Sequence, residues 1–343
     1  MSVSFYIKNK KKFFCYEKVL TVREVMDLYK EYRLSIYNID FNADDFNKEK
    51  FYNTSIERWQ ENNSCILFGV ERKSARGFEL SYNTTKNSYV IREFTPASEN
   101  DWLIALKFMQ VLSEKLNSKI ISEQGNTSTF ETINTYDYKN NIKSGIKVIL
   151  DLLNKENESS FNVDNIYGIK RPVSFSKEII ERIVNSSDEI KEFSEFCEDI
   201  QYIDAYSAKQ SFVEDTITRE KWGYYVLTEN LRTVLPYKPS VEIFSMNYIK
   251  NEEVAFWKIF FCAYKIDENG KEGIDKIGES IYGDFIKKLP VDKYKFIDAS
   301  YIVVEPLNRD EILDIINKNR VLRLYFLFIH YSSLIFLKML FQV

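Results

Sequence analysis

Three strand-length apolar runs follow one another closely in this chain, at 65–70, 77–82 and 89–94. Strands joined by turns pair antiparallel, because a parallel neighbour needs a crossover of a dozen or more residues. Residues 83–87 have the composition of a hairpin turn. Thr95-Pro96-Ala97-Ser98 then breaks the run and caps the clearest helix of the chain. Within that helix Trp102, Ala105, Leu106, Met109, Leu112 and Leu116 recur at helical spacing. Hairpins outnumber strand–helix–strand crossovers, so the expected class is α+β, with mostly antiparallel sheets packed against amphipathic helices.

The same reading extends to both sides. Val3, Phe5 and Ile7 alternate with polar residues, which marks a half-buried strand, and Lys10, Lys11 and Lys12 follow as a solvated turn. Thr21 and Glu24 have the spacing of a capping box. Residues 38–53 read as a loop, 119–123 as a strand stopped by Gly125, and 142–153 as a helix. The polar stretch 156–165 is the linker candidate. Beyond it, helices are expected at 177–184 and 188–200, and strands at 224–227, 241–246 and 256–266. A turn at 267–270, a helix at 275–289, a strand at 294–304 and a last helix opened by Pro306 complete the body. This predicts two similar-sized α+β halves, 1–155 and 166–319, and an apolar tail, 320–343.

Composition removes much chemistry. The only histidine among 343 residues is His330, in the tail. The body therefore cannot build a Ser-His-Asp or Cys-His pair, nor a His-ligated metal site. Cys15, Cys65, Cys197 and Cys262 stand far apart, with no C-x-x-C spacing, and read as reduced thiols of a cytoplasmic protein. Ten glycines leave few places for backbone amides to crowd a phosphate, and no nucleotide-binding or hydrolase glycine motif occurs. A net charge of −4 argues against a nucleic-acid partner.

Two side-chain groups stand out as candidate sites. Asp101 lies in the first turn of its helix, Glu123 at a strand end, and Arg92 and Glu93 on the preceding strand; converged, they could carry carboxylate acid/base work without histidine. Against that stands the plain reading of a helix-start Asp, a core Trp102 and a strand-end turn. Asp188, Glu192, Glu195 and Asp199 recur at helical spacing and share one face, which could meet a cation or a basic partner, or simply face water. The pairs Tyr136/Tyr138, Tyr224/Tyr225 and Phe260/Phe261 read as core and sheet-face residues.

In the tail, 321–343 is mostly Leu, Phe, Ile and Val, with Arg323 and Lys338 near its ends. It reaches membrane-spanning length only if those two side chains snorkel. A tail anchor, a buried or interfacial C-terminal helix and a non-native extension, such as a frameshifted or read-through end, are the three readings. Further strings carry a resemblance: 2–8, Leu20-Thr21-Val22-Arg23-Glu24, Thr95-Pro96 leading to Asp101-Trp102, Glu123-Gln124-Gly125, and Tyr167-Gly168-Ile169-Lys170-Arg171-Pro172. With these the body resembles an uncharacterised family of low-GC bacteria, a domain of unknown function. That resemblance implies no activity and no functional residue.

The reading that follows is a non-catalytic cytoplasmic protein, an accessory acting through contacts with a protein partner, with no cofactor and no metal site. The alternatives are an enzyme built on carboxylates and tyrosines, with Mg²⁺ on oxygen ligands, and a tail-anchored cytoplasmic domain.

Overall fold

The computed structural model describes residues 2–41, 43, 46–62, 65–155, 164–242, 248–266, 270 and 272–317. The apolar tail with His330 lies outside the described residues, as do 156–163 of the polar stretch. The chain forms two compact units, Met1–Ile203 and Asp204–Val343.

In chain order the first unit carries β1 (Ser2–Lys8), β2 (Lys11–Lys12), β3 (Cys15–Tyr16), α1 (Val22–Leu28), β4 (Leu34–Ile36), α2 (Lys48–Tyr52), α3 (Ile56–Asn62), β5 (Ile66–Val70), β6 (Phe78–Asn83) and β7 (Ser88–Phe94). It continues through α4 (Glu99–Leu116), β8 (Ile120–Ser122), β9 (Thr127–Ser128), α5 (Tyr138–Lys155), β10 (Asp164–Ile166), β11 (Val173–Phe175), α6 (Lys177–Val184) and α7 (Glu189–Gln201). Seven strands form one sheet in the order β4-β5-β6-β7-β1-β8-β9, and every pair in it is antiparallel. Strand alternation sends Phe5, Ile7, Phe68, Phe78, Leu80 and Ile91 to one face, where all are buried. α4 packs there against β1, β5 and β7, and on its far side meets α5 and α7. A helix covered on both sides must be apolar nearly all round; Trp102, Ala105, Phe108, Met109 and Leu112 are all fully buried. Ser98 and Asp101 form a capping box at its start, as Thr21 and Glu24 do for α1.

The second unit holds β12 (Tyr206–Ser207), β13 (Ser211–Glu214), β14 (Lys221–Thr228), β15 (Thr233–Pro236), β16 (Val254–Ile266), β17 (Glu272–Ile281), α8 (Tyr282–Lys288), β18 (Tyr294–Phe296), β19 (Tyr301–Val304) and a last helix over 309–317. Two four-stranded sheets result, β12-β15-β19-β18 and β13-β14-β16-β17. Tyr225, Leu227, Ile259 and Phe261 from one sheet meet Leu235, Ile302 and Val304 from the other, with Tyr282 and Phe285 of α8 and Ile312 of the last helix. Two pairs, β12–β15 and β14–β16, run parallel within otherwise antiparallel sheets. The fold class is α+β with mostly antiparallel sheets, as the strand spacing predicts.

Several boundaries differ from the sequence reading. The units divide at 203/204, not within 156–165, because α6 and α7 pack onto α4 and α5. Residues 275–289 were expected to be one helix. Instead 272–281 is a strand, and only Tyr282–Lys288 is helical. The 13-residue β16 presents an edge of backbone groups, and ten residues of β17 satisfy it. The long strand at 294–304 is a hairpin, turned where Asp298 accepts from the amides of Ser300 and Tyr301. The loop at 38–53 contains α2, capped by Asn47. The lysine-rich turn is the β2–β3 hairpin. Of the expected strand at 241–246, residues 241–242 carry no strand pairing and the rest lies outside the described residues.

Candidate functional site

The buried face of the first sheet carries one charge that its pattern does not call for. Along β7, Tyr89 and Ile91 point into the core, and the same alternation sends Glu93 after them. Its strand neighbours are Val3 and Phe78, and it is fully buried. Neither carboxyl oxygen accepts a hydrogen bond of ordinary geometry. Burial pushes its pKa well above the carboxylate range, with the charge of Asp101 adding to the rise and Arg76 opposing it.

Asp101, also fully buried, is surrounded by donors. The amides of Ala75, Arg76 and Gly77 donate to it at 3.3, 2.9 and 2.9 Å, and the Ser98 amide and hydroxyl at 3.3 and 3.0 Å. Burial raises its pKa as well, and these donors oppose the rise by stabilising the ionised form. Glu93 lacks such donors, so its charged form is the less supported of the two, and the charges of both carboxyls act on the buried Arg76. Arg76 itself is 7% exposed; its guanidinium donates to the carbonyls of Tyr167 and Pro96 and lies 4.7 Å from the Phe94 ring centroid. The cluster thus ties the β5–β6 connection, the entrance of α4 and the segment after β10 into one polar knot.

The four residues singled out from the sequence do not gather. Glu93 and Asp101 share the buried cluster. Arg92 lies on the opposite face of β7, donating to Ser2 and paired with Glu79 at 2.7 Å. Glu123 is exposed beyond β8, where it accepts from the Ser4 amide. An acid/base constellation of all four is therefore corrected: β7 alternation separates Arg92 from Glu93, and the end of β8 leaves Glu123 on the surface.

On α7 the acidic residues are partly engaged. Asp188 caps the helix by accepting from the Lys191 amide. Glu192 lies 3.5 Å from Arg182 and Glu195 3.8 Å from Lys191, while Asp199 is exposed. Glu198, not singled out from the sequence, meets Asn100 of α4 at 3.0 and 3.1 Å, and burial pushes its pKa up to about 7. Among the described residues no three His, Cys, Asp or Glu side chains group as metal ligands.

A different surface stands out in the second unit. In β14 the core residues Gly223, Tyr225 and Leu227 alternate with Trp222 and Tyr224; in β16 Trp257, Ile259 and Phe261 alternate with Phe256, Lys258 and Phe260. The second set of each strand lines the face away from the core, where the four aromatic rings are half-buried. Trp222 stacks on Phe256 at 5.8 Å, and Tyr224 meets Phe260 edge-on at 5.0 Å. Lys258 lies 5.0 Å from the Trp222 ring and Lys276 4.5 Å from Phe260, and both lysines pair with Glu279 at 2.8 and 2.6 Å. Exposed Val213, Tyr264, Ile274 and Ile281 extend the same face. The signal was available in the sequence. Residues 256–261 are apolar or aromatic at both phases of the alternation apart from Lys258, although a sheet with a core on one side needs only one phase.

An α+β protein with a buried carboxylate–guanidinium knot and an aromatic outer sheet face is the class these units define. The chain belongs to the family described as a domain of unknown function (DUF4299), whose model matches residues 2–315. No curated protein and no solved structure matches it.

Proposed function

We propose that this is a non-catalytic protein of the cytoplasm that works by binding a protein partner through the outer face of the β13-β14-β16-β17 sheet. The observation that carries the reading is the half-exposed aromatic cluster of Trp222, Tyr224, Phe256 and Phe260, bordered by Lys258, Lys276 and Glu279. Aromatic side chains with a charged border are enriched where proteins meet. Nucleic-acid bases fit the face less well. Base stacking needs a free ring face, whereas Trp222 is covered by Phe256 and Lys258, and Lys276 lies over Phe260. The partner we infer is apolar at its centre and carries charges of both signs at its rim. The α7 carboxylates, expected to favour a basic partner, support that choice less, since Glu192 and Glu195 have basic neighbours on α6 and α7. Four cysteines held as thiols fit a reducing compartment.

The test is affinity capture from cells that express the protein, comparing the wild type with Tyr264→Ser/Ile274→Ser. Both side chains are well exposed, so the fold should survive. A stoichiometric partner recovered with the wild type and lost with the variant supports the reading. The same partner retained by a folded variant removes it.

A further inference from the structure

The β2–β3 hairpin presents an arrangement that the fold does not require. Phe13 and Phe14 stand at its tip, 94% and 102% exposed. Two adjacent phenylalanines left in water lose most of the transfer free energy that burial would give them, so an apolar tip this exposed points to something that covers it. Lys10, Lys11 and Lys12 lead into the tip and Lys18 follows it, all exposed. Glu17 neutralises part of this charge, at 3.1 Å from Lys12 and 3.9 Å from Lys10. Among the described residues Lys11 and Lys18 have no acidic partner.

The base of the hairpin is firmly tied. Asn9 is 4% exposed; its side-chain amide donates to the Glu17 carbonyl at 2.7 Å and to the Tyr82 hydroxyl, and its backbone amide donates to the Asn87 carbonyl at 2.8 Å. The Glu17 amide closes the ring onto the Lys10 carbonyl at 2.8 Å. The tip is thus held out on a fixed pedestal. Beside the pedestal lies an open groove of about 610 Å³, whose lining includes Tyr6, Lys8, Tyr16, Lys86 and Glu123.

We propose that this hairpin seats the protein on an anionic phospholipid surface. Phe13 and Phe14 enter the acyl boundary, the lysine collar stays at the headgroup level, and Lys8 and Lys86 in the groove face lipid phosphates. Charge complementarity selects this occupant. A convex apolar tip with a cationic collar matches a medium that is apolar within and negative at its rim. A protein partner would have to supply a pocket for two rings and an acidic margin together. This surface lies on the first unit and does not depend on the aromatic face of the second.

The test uses the full chain, so that its apolar tail contributes equally to every variant. Partitioning onto vesicles of phosphatidylcholine, with and without phosphatidylglycerol, is measured for the wild type, Phe13→Ser/Phe14→Ser and Lys11→Glu, with circular dichroism as the folding control. The wild type is expected to prefer the anionic vesicles and to weaken with salt. The double serine variant should lose roughly tenfold or more in partitioning, and Lys11→Glu on the order of fivefold or more. In Phe14→Trp, brominated lipid should quench an emission component absent from the wild type. Equal binding by the wild type and the double serine variant would overturn the proposal, as would no preference for anionic vesicles or an unquenched tip tryptophan. A protein partner captured by the wild type but not by the double serine variant, without vesicle binding, would assign the tip to a protein groove instead.

Discussion

Asp101 and Glu93 sit in one buried cluster where burial raises the pKa of both, and they differ in their donors. Asp101 accepts from five groups, three of them amides of the β5–β6 connection that have no water to replace it. Asp101→Asn would turn an NH₂ group toward those donors. We expect it to cost about 2–4 kcal/mol, read as a lower urea midpoint. Glu93→Gln replaces a carboxyl whose charged form burial disfavours and should stay within about 1 kcal/mol of the wild type at neutral pH. Glu198 gives the pH dependence. Its folded pKa is about 7 against an ordinary 4.5, so the folded state holds its proton more tightly than the unfolded state. That contribution is full below about pH 4.5, falls as pH rises, and is gone above about 7. Thermal melts between these limits should show stability declining with pH, and Glu198→Gln should flatten the slope. The sequence marked Asp101 through its place in the first helical turn. It could not mark the cluster, because Ala75, Arg76 and Gly77 reach Asp101 only once β6 lies against β7.

Local signals served best where an element's own residues decide its form. The capping box at Thr21/Glu24 and the helix at 177–184 appear where spacing puts them, and α4 is capped from within the 95–98 break, by Ser98. The helix expected at 275–289 gives way over 275–281 because the open edge of β16, a neighbour the local pattern does not contain, takes those residues into β17. The boundary expected at 156–165 does not coincide with the division at 203/204, because α6 and α7 pack onto α4 and α5, contacts that local polarity does not contain. One glycine shows how tightly those elements fit. A Cβ at Gly145 of α5 would come within 2.6 Å of the Pro96 nitrogen. We expect Gly145→Ala to cost about 1–3 kcal/mol in urea unfolding. At Gly125, whose φ is +86° and which has open space around it, the alanine variant should meet only the backbone penalty, about 1–2 kcal/mol.

At the scale of the whole molecule, the polar clusters turn inward and the unusual surfaces turn outward. The carboxylates that sequence spacing offered as chemistry are split between a buried knot, which holds Glu93 and Asp101, and the surface, where Glu123 accepts from the Ser4 amide. The aromatic sheet face and the β2–β3 tip carry apolar groups that their own units leave uncovered. No helix among the described residues is long and apolar enough to cross a membrane, and the membrane reading of the tail concerns residues outside them. The account therefore stands on contact, with the β13-β14-β16-β17 face as its centre. Site-specific photo-crosslinking in cells tests that most directly, with a photoreactive side chain placed at Tyr264 and, as the comparison, at Asp199 on α7. The account predicts a discrete crosslinked partner from position 264 and none of matching yield from 199. Equal crosslinking from both positions, or a partner caught from 199 alone, would contradict it.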